Sequence, residues 1–244
     1  MASKNVLITG AAQRIGAACA RFLHQQGCNI ILHYHASAEV AKQVCDELNA
    51  IRPASCLAVQ ADLLNLAELH KLAEMAQDHW QGIDVLVNNA SQFFPGSLGE
   101  VTEIEWDSLL GSNLKAPFFL SQALAVSLRE RQGCIVNIVD IYAERSLPAY
   151  PVYSIAKAGL VALTQALAKE LAPQVRVNAI APGAILWPQS EPDAEQQRQI
   201  LQRVALQRSG QPVDIAQALW FLIAQAEYIT GHTVCVDGGR RLFI

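Results

Sequence analysis

Seven short apolar runs, at 6–9, 29–34, 55–62, 83–88, 134–140, 175–180 and 233–236, alternate along the whole chain with stretches of helical periodicity. That alternation is the strongest constraint on the fold. Strand, helix, strand in succession implies parallel pairing through right-handed crossovers. Runs that are apolar throughout, rather than at every second residue, belong to a sheet covered on both faces. The expected class is α/β, a doubly wound parallel sheet of about seven strands in a single domain over 1–244. Helices are expected at 15–26 and 38–50, over a stretch ending near Trp80, and at 153–171 and 217–225. A long helical region at 102–131 should kink or break at Pro117, which lacks an amide donor. A chain of 244 residues, 52% hydrophobic, is large enough to build such a core.

Ligands of doubly wound sheets bind beyond the carboxyl ends of the strands, near the point where strand order reverses. Thr9-Gly10, Asp62, Asn88-Asn89, Asp140 and Pro182-Gly183 all fall just past strand ends. The first turn reads TGAAQRIG. Gly10 and Gly16 allow a tight turn and a close approach to a pyrophosphate, which the following helix N-terminus stabilises. This is the setting of a Rossmann-type dinucleotide site. Arg14 stands where such a turn often has another glycine, and its guanidinium can face the phosphates or a polar substrate edge.

Further along, Tyr153 and Lys157 lie four apart on an expected helix and so share a face. An ammonium beside a phenol favours the ionised phenol, whose free pKa is about 10, and makes it a usable proton donor. Asp140 lies 153 − 140 = 13 residues earlier, at the end of the run CIVNIVD. If strand end and helix face converge, acid, phenol and ammonium share one pocket.

Composition excludes several functions. The net charge is −4 with scattered basic residues, which leaves no electrostatic footprint for nucleic acid. No apolar run approaches the roughly 18 residues of a membrane span, and the start MASKNVLITG has no signal-peptide pattern. A cytoplasmic protein with no membrane partner is expected. The six cysteines are never closer than 28 − 19 = 9 residues, which rules out a CxxC redox or zinc pair. Reduced, mostly buried thiols and no metal site are expected.

The motifs TGAAQRIG at 9–16, Asp62-Leu63, Asn88-Asn89-Ala90, Asn113, Tyr153 with Lys157, and Pro182-Gly183, in that order over the whole chain, resemble the short-chain dehydrogenase/reductases. Three departures from the common pattern resemble the pteridine reductases within that family. Arg14 replaces the central glycine, Asp140 stands where the family usually has a catalytic serine, and NNASQF puts Phe93 just beyond the fourth strand. Tyr150, three before Tyr153, also matches.

The resemblance implies hydride transfer from a nicotinamide to a dihydropterin of dihydrobiopterin, dihydromonapterin or dihydrofolate type. Phe93 would hold the pterin against the nicotinamide, and Tyr150 and Arg14 would line the same site. Tyr153 would protonate N5 or N8, and Lys157 would hold the nicotinamide ribose. Asp140 would either supply the proton to Tyr153 or hydrogen-bond the pterin, and Asn113 would hold water in a proton relay. A carboxylate at that place would repel the developing oxyanion of a simple carbonyl reduction. Reduction of a carbonyl such as a 3-oxoacyl thioester is the alternative, and a regulatory dinucleotide-binding protein without turnover is a third.

For the cofactor, the resemblance places Gly10, Arg14, Ile15, Gly16, Asp62, Leu63, Asn89, Ala90, Tyr153, Lys157, Pro182 and Gly183 around it. No acid follows the second strand before Glu39, where an NAD site would have one about 20 residues after the glycine turn. His33, His35 and Ser37 stand there instead, so NADPH is expected, with His35 and Ser37 on its 2′-phosphate. The stretch 186–207 lacks apolar order and is expected to form a substrate lid. Apolar residues on more than one face of the helices at 106–128 and 154–171 point to helix-to-helix assembly. The resemblance implies a homotetramer, with Arg240 and Arg241 near a neighbouring subunit's pocket.

Overall fold

A computed structural model describes residues 3–185 and 194–243, with nothing stated of the side chain of Ala194. Seven parallel strands form one sheet: β1 (Asn5–Ile8), β2 (Asn29–Tyr34), β3 (Cys56–Gln60), β4 (Val85–Asn88), β5 (Cys134–Ile138), β6 (Arg176–Pro182) and β7 (Thr233–Val236). Their order across the sheet is β3-β2-β1-β4-β5-β6-β7, so the reversal lies between β1 and β4. The expected α/β class and strand number hold.

The two faces explain why the strands read as unbroken apolar runs. Val6 and Ile8 belong to one buried cluster while Leu7 belongs to the other. The first cluster is closed by α1 (Arg14–Gln25), α2 (Ala38–Ile51) and α8 (Pro212–Ala224), through residues such as Leu23, Leu48 and Leu219. The second is closed by α3 (Leu66–His79) and α5 (Ala116–Glu130), through Leu72 and Leu124. Two helices start on side-chain caps. Asn65 accepts from the amides of Ala67 and Glu68, and Thr102 forms a capping box with Glu105 at the start of α4 (Glu103–Leu110).

The break expected at Pro117 lies earlier in the chain. A single π-turn at Gly111–Lys115 joins α4 to α5, and Pro117 sits in the first turn of α5, where its missing amide costs nothing. Gly111 leaves room at the turn for the tip of the Leu64 side chain, which a Cβ there would meet at 2.5 Å and displace. The helix expected at 217–225 begins five residues earlier, since Pro212 opens it and Asp214 accepts from the Gln211 amide.

Residues 186–193 of the expected lid lie outside the described residues. The rest carries α7 (Ala194–Gln202), a mostly polar helix that the search for apolar order could not detect. Helix α6 (Pro151–Glu170) is docked by a buried polar ladder. Asn88 donates to Asn137, Asn137 donates to Thr164, and Thr164 donates to the carbonyl of Leu160, each at 2.8 Å. No helix among the described residues is long and apolar enough to cross a membrane.

Candidate functional site

The β1–α1 turn is shaped by its backbone and by residues brought in from other strands. Gly10 has φ +61°, in the left-handed region, and a Cβ there would meet Ala90 at 3.0 Å. A Cβ on Gly16 would come within 2.4 Å of the Gly10 carbonyl oxygen, so the turn can close only over glycine. Thr9 Oγ1 accepts from the amides of Asn89 and Ala90, both at 2.9 Å, tying the end of β4 to the turn. Asn89 spends its side-chain amide donor on the carbonyls of Thr9 (2.8 Å) and Gly10 (3.0 Å), and so braces the turn from within. The side chain of Gln13, the N-cap residue of α1, makes no capping hydrogen bond to the first turn. Ile15 packs its side chain into the core beneath. Arg14, the first residue of α1, has φ +53°, so a side chain of full size occupies a conformation that glycine adopts freely.

His33 is placed differently from the sequence expectation. It is buried under the turn, where Nδ1 accepts from the Gly10 amide at 3.1 Å and Nε2 lies 3.0 Å from the Ala61 carbonyl. An acceptor role for Nδ1 puts the proton on Nε2, which then donates to Ala61. Burial is the largest influence and lowers its pKa to about 4. His33 is therefore a neutral strut under the turn, and cannot be a cation for a phosphate. Its folded pKa lies below the unfolded value near 6.5, so below pH 6.5 the unfolded chain takes up the proton first. Stability is then lost as pH falls from 6.5 towards 4, by roughly 3 kcal/mol from this group. An NMR titration of the folded protein should show the His33 ring with a midpoint near 4, and a midpoint near 6.5 would remove this account.

His35 is exposed at the end of β2, and Ser37 accepts from Gln13 Nε2 at 3.1 Å. Gln13, which the sequence reading passed over, thus joins the glycine turn to the start of α2. Asp62 accepts from the Leu64 amide at 3.0 Å just past β3, and Leu63 packs on the second core cluster. Pro182 ends β6. Gly183 donates to the Val236 carbonyl at 3.0 Å, and a Cβ there would lie 2.6 Å from the Asp237 backbone.

On the other side of the reversal, the strand end and helix face do converge. The Tyr153 hydroxyl donates to Asp140 Oδ2 at 2.7 Å, and Asp140 Oδ1 accepts from the Tyr142 amide at 2.9 Å. Lys157 is fully enclosed; its ammonium donates to the Ile138 carbonyl at 2.9 Å and lies 5.7 Å from the centre of the Tyr153 ring. Burial lowers its pKa to about 8, with the Asp140 charge opposing. Burial raises the Asp140 carboxyl, opposed by the Tyr142 amide, the Tyr153 hydroxyl and the charges of Lys157 and Arg240. Burial also raises the Tyr153 phenol, and Asp140 adds to it. The expected lowering of Tyr153 by Lys157 is therefore absent from the ligand-free chain. Desolvation exceeds the effect of an ammonium that is itself turned towards a carbonyl. The acid and the phenol form one hydrogen-bonded unit that retains a proton.

An aromatic wall flanks this unit. The Phe93 ring stacks on Tyr150, the residue preceding α6, with centroids 4.5 Å apart and planes at 8°. It meets Tyr153 edge-on at 4.8 Å, yet remains 47% exposed. Asn113 lies in the π-turn, where its amide donates to the carbonyls of Gln92 and Leu109, each at 3.0 Å. Its Oδ1 accepts from Ser91 Oγ at 2.7 Å, so the side chain is committed to protein partners and is not open to water. Its link to the site is Ser91, a residue the sequence reading did not select, whose hydroxyl acts against the burial that raises the Tyr153 phenol. Arg240 reaches this region from the C-terminal 3-10 turn (Arg240–Phe243) of its own chain, donating to the Tyr142 hydroxyl at 2.7 Å.

A parallel sheet with a glycine turn on one side of the reversal and a carboxyl–phenol–ammonium group on the other defines a nucleotide-dependent oxidoreductase fold. A family model described as enoyl-(acyl carrier protein) reductase matches residues 10–241. The chain belongs to the short-chain dehydrogenase/reductase family and is an oxidoreductase of that family. Pteridine reductase 1 of Leishmania tarentolae is 36% identical, covering 97% of this chain and 96% of the relative. The 3-oxoacyl-(acyl-carrier-protein) reductase FabG of Staphylococcus aureus is 34% identical, covering 97% and 98%. Among solved structures, a blue fluorescent protein from a metagenomic library, in complex with NADPH, superposes with a TM-score of 0.91 at 33% identity, covering 97% of both chains.

Proposed function

We propose that the chain is an NADPH-dependent reductase of dihydropterins, of dihydrobiopterin, dihydromonapterin or dihydrofolate type, yielding the tetrahydro form. The observation that carries this reading is the 2.7 Å hydrogen bond from the Tyr153 hydroxyl to Asp140. A ketone leaving its reduction as an oxyanion wants a hydroxyl at this place, and gains from a carboxyl there only while it is protonated. A ring nitrogen of a pterin needs a proton, and a carboxyl raised by burial can hand one to the phenol as the phenol gives its own away. The half-exposed Phe93 ring, rigid on Tyr150, offers a flat surface for a flat bicyclic substrate. The likeness to pteridine reductase 1 supports the same reading.

The residues at the first turn fit a dinucleotide. Gly10 and Gly16 leave the backbone bare, and the uncapped N-terminus of α1 offers amides to a pyrophosphate. His35 and Ser37, with Gln13 bonded to Ser37, would meet a 2′-phosphate. The bound nicotinamide would supply the hydride. Tyr153 would supply the proton, Asp140 would restore it, and Lys157 would hold the ribose while its charge stabilises the phenolate left behind. Asn113 and Ser91 would fix the phenol's orientation, and Arg14 would face the phosphates or the pterin edge.

One observation favours a second reading, reduction of a carbonyl such as a 3-oxoacyl thioester. Ser91 has a hydroxyl near enough to Tyr153 to oppose the rise of its phenol pKa, and a carbonyl reductase would use such a group; the Staphylococcus aureus relative is nearly as similar. The deciding experiment follows NADPH oxidation by purified protein with dihydrobiopterin, dihydrofolate and an acetoacetyl thioester. Turnover of dihydropterins is expected, and turnover of the thioester alone would transfer the chain to the second reading.

The assembly we propose is a homotetramer. Phe118 and Val126 on α5 and Ile155 on α6 are exposed in the single chain and would be covered in it. Light scattering in solution should give four times the 26.5 kDa chain mass, and a monomer would end the proposal.

A further inference from the structure

The described cysteines include one spatial pair that the sequence spacing conceals. Cys45 lies in the middle of α2, and Cys56 is the first residue of β3, 11 positions later. The Cys45 thiol donates to the Cys56 carbonyl at 3.2 Å, and both cysteines belong to one buried cluster. Asn49, one helical turn after Cys45, holds the two together. Its Oδ1 accepts from the amides of Ser55 and Cys56 at 2.9 Å each, while its Nδ2 donates to the Cys56 carbonyl at 2.8 Å and to Cys45 Sγ at 3.5 Å. The start of β3 is thereby clamped to α2, with the Cys45 sulfur against the backbone of Cys56.

The surroundings set this pair apart from the other four cysteines. Strand β3 is an edge of the sheet, and Cys45 and Cys56 retain 9% and 6% exposure, more than Cys19, Cys28 and Cys134, while the more exposed Cys235 lies on β7 at the opposite edge. Hydrogen bonds from Cys56 and from the Ala58 amide outweigh burial and lower Cys45 to about 7, while Cys56 is raised. Burial pushes Cys19 up to about 12 and Cys28 to about 11, and raises Cys134 and Cys235. A thiolate-forming sulfur beside a protonated partner is the arrangement of an attacking and a resolving thiol.

We propose that Cys45 and Cys56 are a dithiol modification site, oxidised by hydrogen peroxide to an intramolecular disulfide within the folded chain. The Cys45 thiolate attacks one peroxide oxygen, breaking the O–O bond to give a sulfenic acid and hydroxide. The Cys56 sulfur then attacks the Cys45 sulfur, the S–S bond forms, and the sulfenic oxygen leaves as water. Two thiols lose two electrons and two protons, and one peroxide becomes two waters. The bond would join α2 to the first residue of β3, at the end of that strand opposite Asp62.

Peptide mapping of the folded, full-length protein after exposure to hydrogen peroxide tests the site and needs no substrate, so its outcome is independent of the reaction catalysed. The expected result is a Cys45–Cys56 linked peptide as the main product, with the other four cysteines still open to alkylation on unfolding. In Cys56→Ser a 1,3-dione reagent should capture Cys45 as sulfenic acid. In Cys45→Ser peroxide consumption at pH 7 should slow by at least about tenfold, because burial raises each of the remaining cysteines above an ordinary thiol. A linked pair no more abundant than other pairings, or one formed only after denaturation, would overturn the proposal.

Discussion

Tyr153→Phe is expected to cut turnover by about a thousandfold, within the range for loss of a positioned general acid, while NADPH binding stays within a few-fold. The phenol is the donor in the 2.7 Å hydrogen bond to Asp140 and touches Phe93 with its ring edge. Phe keeps the ring, its packing on Val152 and Leu109, and the aromatic wall, so only the proton donor is removed. Asp140 loses a hydrogen bond that favours its charged form, so its carboxyl rises further and stays protonated to higher pH. Steady-state rates with dihydrobiopterin and cofactor titration by fluorescence would separate the two effects. A rate near that of the parent would remove Tyr153 from the chemistry.

Asp140→Asn is expected to lower dihydropterin turnover by about a hundredfold and to shift the basic limb of the pH profile downwards. Asn keeps the shape and can still accept from the Tyr142 amide, so the turn after β5 should survive. It can neither store a proton for Tyr153 nor carry charge. Asp140 is also the one group described as raising the pKa of Lys157, which burial has already brought to about 8. Without that carboxylate the ammonium loses its proton at lower pH, and activity that needs the charge falls off earlier. An Asp140→Asn enzyme with parental rate and pH profile would show that the carboxyl is a loop cap and no more.

The architecture was legible because both faces of every central strand are buried, which turns the sheet into a series of apolar runs. Alternate residues of β1 feed opposite cores, and that is what Val6, Leu7 and Ile8 record. The meeting of Asp140 with Tyr153 was legible for a related reason, since a strand end and the helix that follows it have few ways to diverge. The groups that escaped are placed by sheet register across long sequence separations. His33 reaches Gly10 from 23 residues away and Asn89 reaches Thr9 from 80, and neither distance leaves a local signal. The Tyr153–Lys157 spacing gave the correct neighbourhood but the wrong direction of pKa shift, because spacing carries no information on desolvation. Cys45 and Cys56 were hidden in the same way, since their proximity comes from the turn that folds β3 back onto α2.

Arg14 bears on how the chain can be altered. Its backbone at φ +53° costs on the order of 1 kcal/mol relative to glycine. Selection for heat resistance alone would therefore favour Arg14→Gly, a single replacement that relaxes the turn and keeps the dinucleotide cradle. Such a variant would become more robust as it lost the guanidinium that the proposed function turns towards the phosphates or the pterin edge. Thermal hardening and substrate discrimination pull this position in opposite directions, so screens of the two properties should rank the same library in different orders.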